Sequence, residues 1–169
     1  MANTFTLISS NVLTSGAATV TFSSIPATYT DLQIFCSARD ADTSGAVVAL
    51  SFNGVTTNLS GRNLTGNGSA ASSGSSTSAL AIAARSDSND RTASTFGNSS
   101  FYVTNYASST VNKSVSVDGV EENNATAALM NITAGLWSST AAITSLTLTP
   151  GVANFVTGSS FYLYGIKNS

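Results

Sequence analysis

The sequence predicts an all-β protein: an antiparallel β-sandwich of one domain, with a jelly roll as the expected arrangement. Three observations carry that prediction. Apolar residues alternate with Ser, Thr and Asn at a period of two, not 3.6. Turn-forming dipeptides punctuate the apolar runs. The polar positions are mostly Ser and Thr, which compete with the backbone inside helices but suit the wet face of a strand. A length of 169 residues fits one domain spanning 1–169.

The elements follow in chain order. Residues 4–8 and 17–22 begin the series, with 1–12 as a possible N-terminal arm. "DLQIF" sets Leu32 and Ile34 opposite Asp31 and Gln33, which makes 31–38 a half-buried strand. Strands 46–52 and 55–59 flank Asn53-Gly54, a two-residue hairpin signal. The stretch 61–79 is almost wholly small and polar, and reads as a long Ser/Gly-rich loop or an arm that orders against a neighbour. Strands 79–84, 100–105 and 111–117 come next, the last with Val115 and Val117 alternating with Ser114 and Ser116. Asp118-Gly119 reads as a second hairpin turn. The segment 127–134 has some helical character, but Asn131, Ile132, Thr133 and Gly135 favour a strand. "LTLT" ends a strand over 142–149, and Pro150-Gly151 suits a type II turn. The last strand is 160–166. No sequence repeat points to a propeller or a β-helix.

That last strand, in "GSSFYLYGIKNS", is the densest aromatic stretch of the chain. Neighbours in a strand face opposite ways, so Phe161 and Leu163 oppose Tyr162, Tyr164 and Ile166, and Phe101 opposes Tyr102. One of each pair must leave the primary core. A terminal strand apolar on both faces is expected inside a sheet, not at an open edge. Tyr162, Tyr164, Ile166, Tyr102 and Trp137 are the candidate subunit-interface residues.

Composition excludes several function classes. Charged residues make up 8%, against about 25% in an ordinary domain. Six Lys and Arg against eight Asp and Glu give a net charge of -2, with no basic stripe for nucleic acid. No segment approaches a membrane span, and no basic-then-apolar leader opens the chain. Cys36 is the one cysteine, and it sits among Leu32, Ile34 and Phe35 as a buried thiol.

Chemistry is poorly provided for. The chain has no histidine, which removes the familiar triads and the commonest zinc ligand. No phosphate-binding glycine motif occurs. Carboxylates remain: Asp40 with Asp42, Asp87 with Asp90, and Glu121 with Glu122, all in turn-like polar surroundings. A glycosidase needs two in one cleft; solvated loop charges are the plainer reading. "DSND" at 87–90 has oxygen ligands but lacks the turn glycine and the distal Glu of a calcium loop. Seven N-x-[ST] triplets match what this much Asn, Ser and Thr produces by chance. No catalytic residue, cofactor or metal ligand is assigned, and the chain is not expected to be an enzyme.

"SIPATYTDLQI", "VEENNATAA", "AGLWSSTAAITSLTLTP" and "NF…GSSFYLYGI" together resemble a group of small β-rich virion proteins of tailed bacteriophages of marine bacteria and cyanobacteria. The resemblance runs from about Ser24 to Ile166 and is weakest over 61–95. It implies a place, the phage particle, with synthesis in the bacterial host cytoplasm, and carries no catalytic or binding residues. The expected function is a capsid decoration (cement) protein. It is expected to form homotrimers and to bind the major capsid protein or another virion protein, without nucleic acid or membrane. The alternative is a tail-fibre or head-fibre component whose tyrosines contact host glycans.

Overall fold

The structure is a computed structural model describing residues 4–124 and 128–167. Twelve strands form, with no helix among the described residues. The first six are β1 (Phe5–Val12), β2 (Val20–Phe22), β3 (Asp31–Ala38), β4 (Ala46–Phe52), β5 (Leu59–Gly66) and β6 (Ala71–Ser76). The rest are β7 (Ala83–Ser86), β8 (Gly97–Val103), β9 (Lys113–Val120), β10 (Met130–Trp137), β11 (Leu146–Pro150) and β12 (Ser160–Ile166). They make an eight-stranded sheet, β1-β12-β3-β8-β9-β10-β5-β6, and a four-stranded sheet, β2-β11-β4-β7. Every ladder is antiparallel.

The topology is a jelly roll with two insertions. Set aside β5–β6 and β9–β10, and eight strands remain in two sheets, β1-β12-β3-β8 and β2-β11-β4-β7. Their pairings are first with last, second with seventh, third with sixth and fourth with fifth. That is one long antiparallel ribbon rolled so that its pairs alternate between two sheets. The two inserted pairs both extend the same sheet past β8, which is why it has eight strands and its partner four.

Alternation puts Leu32, Ile34, Phe101, Val115, Val117, Phe161 and Leu163 of the large sheet against Val20, Phe22, Val48, Leu50, Phe52, Leu146 and Leu148 of the small one. Phe155 and Tyr106 are fully buried in the connections, Phe155 packing on Phe161 at 4.9 Å between centroids. Cys36 is buried in this core as expected.

A row of glycines explains how the segment leading into and through β7 crosses the large sheet. A Cβ on Gly61 would lie 2.0 Å from the Ala81 carbonyl oxygen, and one on Gly135 would lie 2.9 Å from Ile82. One on Gly119 would lie 2.6 Å from the Arg85 nitrogen, and one on Gly97 2.7 Å from the Ser86 Cα. Residues 81–86 thus run in order over β5, β10, β9 and β8, in a groove that side chains would fill.

Five local expectations change. The 61–79 stretch is mostly the β5–β6 hairpin, paired from Gly61↔Ser76 to Gly66↔Ala71, because extended Ser, Thr and Gly ladder well on β10 even with few large side chains. Described residues of the 1–12 segment form edge strand β1 on β12 in place of an arm, leaving 1–3 outside the described residues. Asp118-Gly119 is not a turn: Gly119 pairs with Asn131 and Ser99 inside β9, and its missing side chain serves the groove. Gly151 lacks the positive φ that a type II turn requires. Asn53-Gly54 does turn as expected, with φ of 53° and 70° and a Val55 N–H to Phe52 carbonyl bond of 2.8 Å. No strand follows it, however; β5 starts at Leu59.

Candidate functional site

The outward face of the eight-stranded sheet is the most distinctive surface of the molecule. Register places Tyr162, Phe35, Ser100, Asp118, Ile132 and Leu64 in one row across β12, β3, β8, β9, β10 and β5. The inward alternates of these strands fill the core, so this row must face away from it. Among the described residues eleven large hydrophobic residues stand exposed, and eight belong to this face: Phe5, Leu7, Val12, Phe35, Leu64, Val120, Met130 and Ile132. Leu80, Val111 and Val152 are the other three. Scattered exposed apolar residues are ordinary, but eight on one face form a patch.

The patch has two zones. On β1, β12 and β3, Tyr164 packs between Phe5, tilted at 5.5 Å, and Phe35, edge-on at 5.9 Å. On β5, β9 and β10, Leu64, Val120, Met130 and Ile132 form an aliphatic zone, each at least 40% exposed. A shallow cleft of about 120 Å³ lies here among Leu64, Ala71, Met130 and Ile132. Between the zones runs a polar seam on β8 and β9. In it Ser100 Oγ donates to Asp118 Oδ1 at 2.8 Å and Gln33 Nε2 donates to Ser100 Oγ at 3.1 Å. Tyr102 Oη donates to Asp31 Oδ2 at 2.6 Å. Outward positions on the eight strands carry charge only at Asp31, Arg62 and Asp118, and Asp31 is buried.

Of the candidate interface residues, Tyr162, Tyr164 and Ile166 lie half-buried on this face, the two tyrosines beside Phe35 and Ile166 beside Phe5, and Tyr102 lies in the seam. Trp137 is corrected. It is 3% exposed and stacks on Phe52 at 5.4 Å inside the core, so it offers nothing to a neighbour. The reason is parity: Gly119 and Asn131 point inward, so Gly135 and Trp137 do too. The aliphatic zone went unassigned from sequence, although Met130, Ile132 and Leu64 at alternate positions were its signal.

The candidate carboxylates gather at one end of the sandwich. Asp40, Asp87 and Glu121 are each fully buried. The Asp40 and Asp87 segments are tied by the Asp40 N–H to Asp87 carbonyl bond at 2.9 Å. Asp40 Oδ1 accepts the Asp42 N–H at 3.0 Å, and Asn123 Nδ2 donates to Asp87 Oδ1 at 3.3 Å. Arg91 reaches Asp90 at 2.7 Å and Glu121 at 3.8 Å. Arg39 binds the carbonyls of Thr92, Thr95 and Arg91 at 2.8–3.1 Å, which pins the loop that carries Arg91. Asp42 binds within its own loop and Glu122 is exposed, so each sequence pair splits into an inner and an outer member.

Burial pushes Asp40 up to about 6 and Glu121 up to about 7; Arg85 and Arg91 pull Glu121 back only in part. Raised carboxyls can mark acid–base chemistry. Here they are sealed from solvent, and a short polar cavity nearby, lined by Asn63, Thr65, Arg85, Asn131 and Thr133, includes none of the three. The arrangement joins three loops. Among the described residues no group of three or more acidic, Cys or His side chains converges to hold a metal ion.

No family model, no curated protein and no solved structure matches this chain.

Proposed function

We propose that the protein is a non-enzymatic structural component of a tailed-bacteriophage particle, a capsid decoration (cement) protein that binds the shell and stabilises it through subunit contacts. The observation that supports this reading most is the two-zoned apolar face. A small jelly roll with eight exposed large apolar residues on one sheet face is built to be covered by protein. Low charge lowers the cost of desolvating that face. The resemblance of the sequence to small virion proteins supports the phage particle as the place.

Purified capsids stripped of tails test the reading. A decoration protein stays with them in high copy number, and cryo-electron microscopy shows it ordered on the shell lattice. Loss with the tails, or a handful of copies per particle, overturns it. That outcome would favour the fibre reading, which rests on the Phe5–Tyr164–Phe35 cluster as a stacking surface for host glycans. Burial of Trp137 takes the strongest stacker away from that alternative. Adsorption competed by free protein would speak for it.

A further inference from the structure

The layout of the apolar face says what covers it. We infer that two copies pack face to face through the outward surface of the eight-stranded sheet, related by a two-fold axis running along the seam between β8 and β9. This deepens the structural reading above by naming a partner, a second copy of the same chain.

The strand order carries the inference. β8 and β9 are the middle pair of the eight, with four strands on each side of the line between them. A two-fold along that line lays β3 over the partner's β10 and β12 over the partner's β5. Positions in one row then meet positions in the same row. Phe35 opposes Ile132 and Tyr162 opposes Leu64, each contact made twice, while one row along Met130 and Val120 oppose Ser37 and Asn98. Along the axis, Ser100 meets Asp118, a donor–acceptor pairing already made within the chain. In the next row Arg62 meets Tyr164, a cation over an aromatic face. The two Asp118 carboxylates approach each other across the axis, each held by its own Ser100 hydroxyl, and no other like charges are brought together. The symmetry is isologous and closes at two copies. The expected trimer would need two different surfaces, whereas these two zones share one face and are balanced about one line.

The area is sufficient. Eight strands at about 4.8 Å spacing and seven residues at about 3.3 Å span about 900 Å². A standard specific interface takes about 800 Å² from each partner. Packed sheets in sandwiches stack in the same way, about 10 Å apart.

Sedimentation and light scattering on the purified protein test this, with Phe35→Glu, Ile132→Glu and, as a control off the face, Val152→Glu. The wild type and V152E should run as dimers. F35E and I132E should each weaken self-association about 100-fold with unchanged circular dichroism, and at dilutions where the wild type is monomeric all should share its thermal midpoint, since both sites are exposed in the monomer. Cross-linking fixes the geometry in a Cys36→Ala background. F35C mixed with I132C should be joined by a short bismaleimide that bridges sheets about 10 Å apart, and neither should link to itself. A wild type that is monomeric at high micromolar concentration overturns the inference. So does a trimer, or a dimer indifferent to F35E and I132E, as edge pairing through β6 would be. If the wild type is monomeric but F35E no longer binds purified capsids, the face belongs to the shell: the pairing fails while the decoration reading stands. A dimer absent from capsids has the opposite meaning.

Discussion

At the residue scale the buried carboxyls set the pH response. Glu121 and Asp40 bind protons more tightly folded than unfolded, because burial disfavours their charged forms. Their contribution to stability is fully present below the unfolded values near 4. It is lost as pH rises through about 6 for Asp40 and about 7 for Glu121. Thermal stability should therefore fall between pH 5 and pH 8. For Glu121 the ceiling on that loss is roughly 3 kcal/mol. Glu121→Gln should flatten the profile and exceed the wild type above pH 7; a wild-type midpoint independent of pH would contradict this. Burial also pushes the Cys36 thiol up. It should stay unmodified by a thiol-specific disulfide reagent in the native protein and react completely in denaturant, and rapid native labelling would show that the core opens there.

At the scale of elements the glycine groove and the last strand decide most. Gly119→Ala would drive a methyl to 2.6 Å from a backbone nitrogen that cannot move without its strand. A loss of about 2 kcal/mol or more in urea unfolding is expected. At Gly66 the nearest atom to an added Cβ is the Met130 Cγ at 3.7 Å, so Gly66→Ala should change stability by about 0.5 kcal/mol or less. Equal effects at the two positions would refute the groove as the reason. β12 lies between β1 and β3, with Phe161 and Leu163 fully buried. Removing 160–169 unpairs both neighbours and should leave no soluble folded protein; a cooperative thermal transition in that truncation would contradict the topology. Here the sequence was legible where alternation was strong. The strands 31–38, 46–52 and 160–166 end where the pattern ends. It misled where a local signal had a distant use, as with Asp118-Gly119, whose glycine answers to Arg85 and not to a turn. It was silent over β5–β6, whose Ser and Gly carry no apolar period to read.

At the scale of the whole molecule the ladders join residues far apart in sequence: β1 with β12, β2 with β11, β3 with β8. Such pairings close long loops before they are rewarded, and folding should be slow for a chain of this size, in the range of milliseconds to seconds. Stopped-flow refolding followed by Trp137 fluorescence measures it, since that ring enters the core beside Phe52. A sub-millisecond main phase would contradict the rolled-ribbon order. The two insertions matter at this scale too. They double the width of one sheet without adding a layer beyond it, and so leave an unusually broad outer face.

Period-two alternation, turn-forming dipeptides and Ser/Thr-rich polar positions were enough to make this an all-β sandwich, because each strand needs one face in a core and carries that need in its own residues. They also placed Tyr162, Tyr164 and Ile166 away from the core, since parity along a strand is a local property. Which strands lie side by side is not local. Only the tertiary structure set Phe35 in one row with Ile132 and Leu64, buried Trp137, and drew Asp40, Asp87 and Glu121 to one end of the sandwich. Those placements depend on the order in which a rolled ribbon meets itself, and no single segment contains that order.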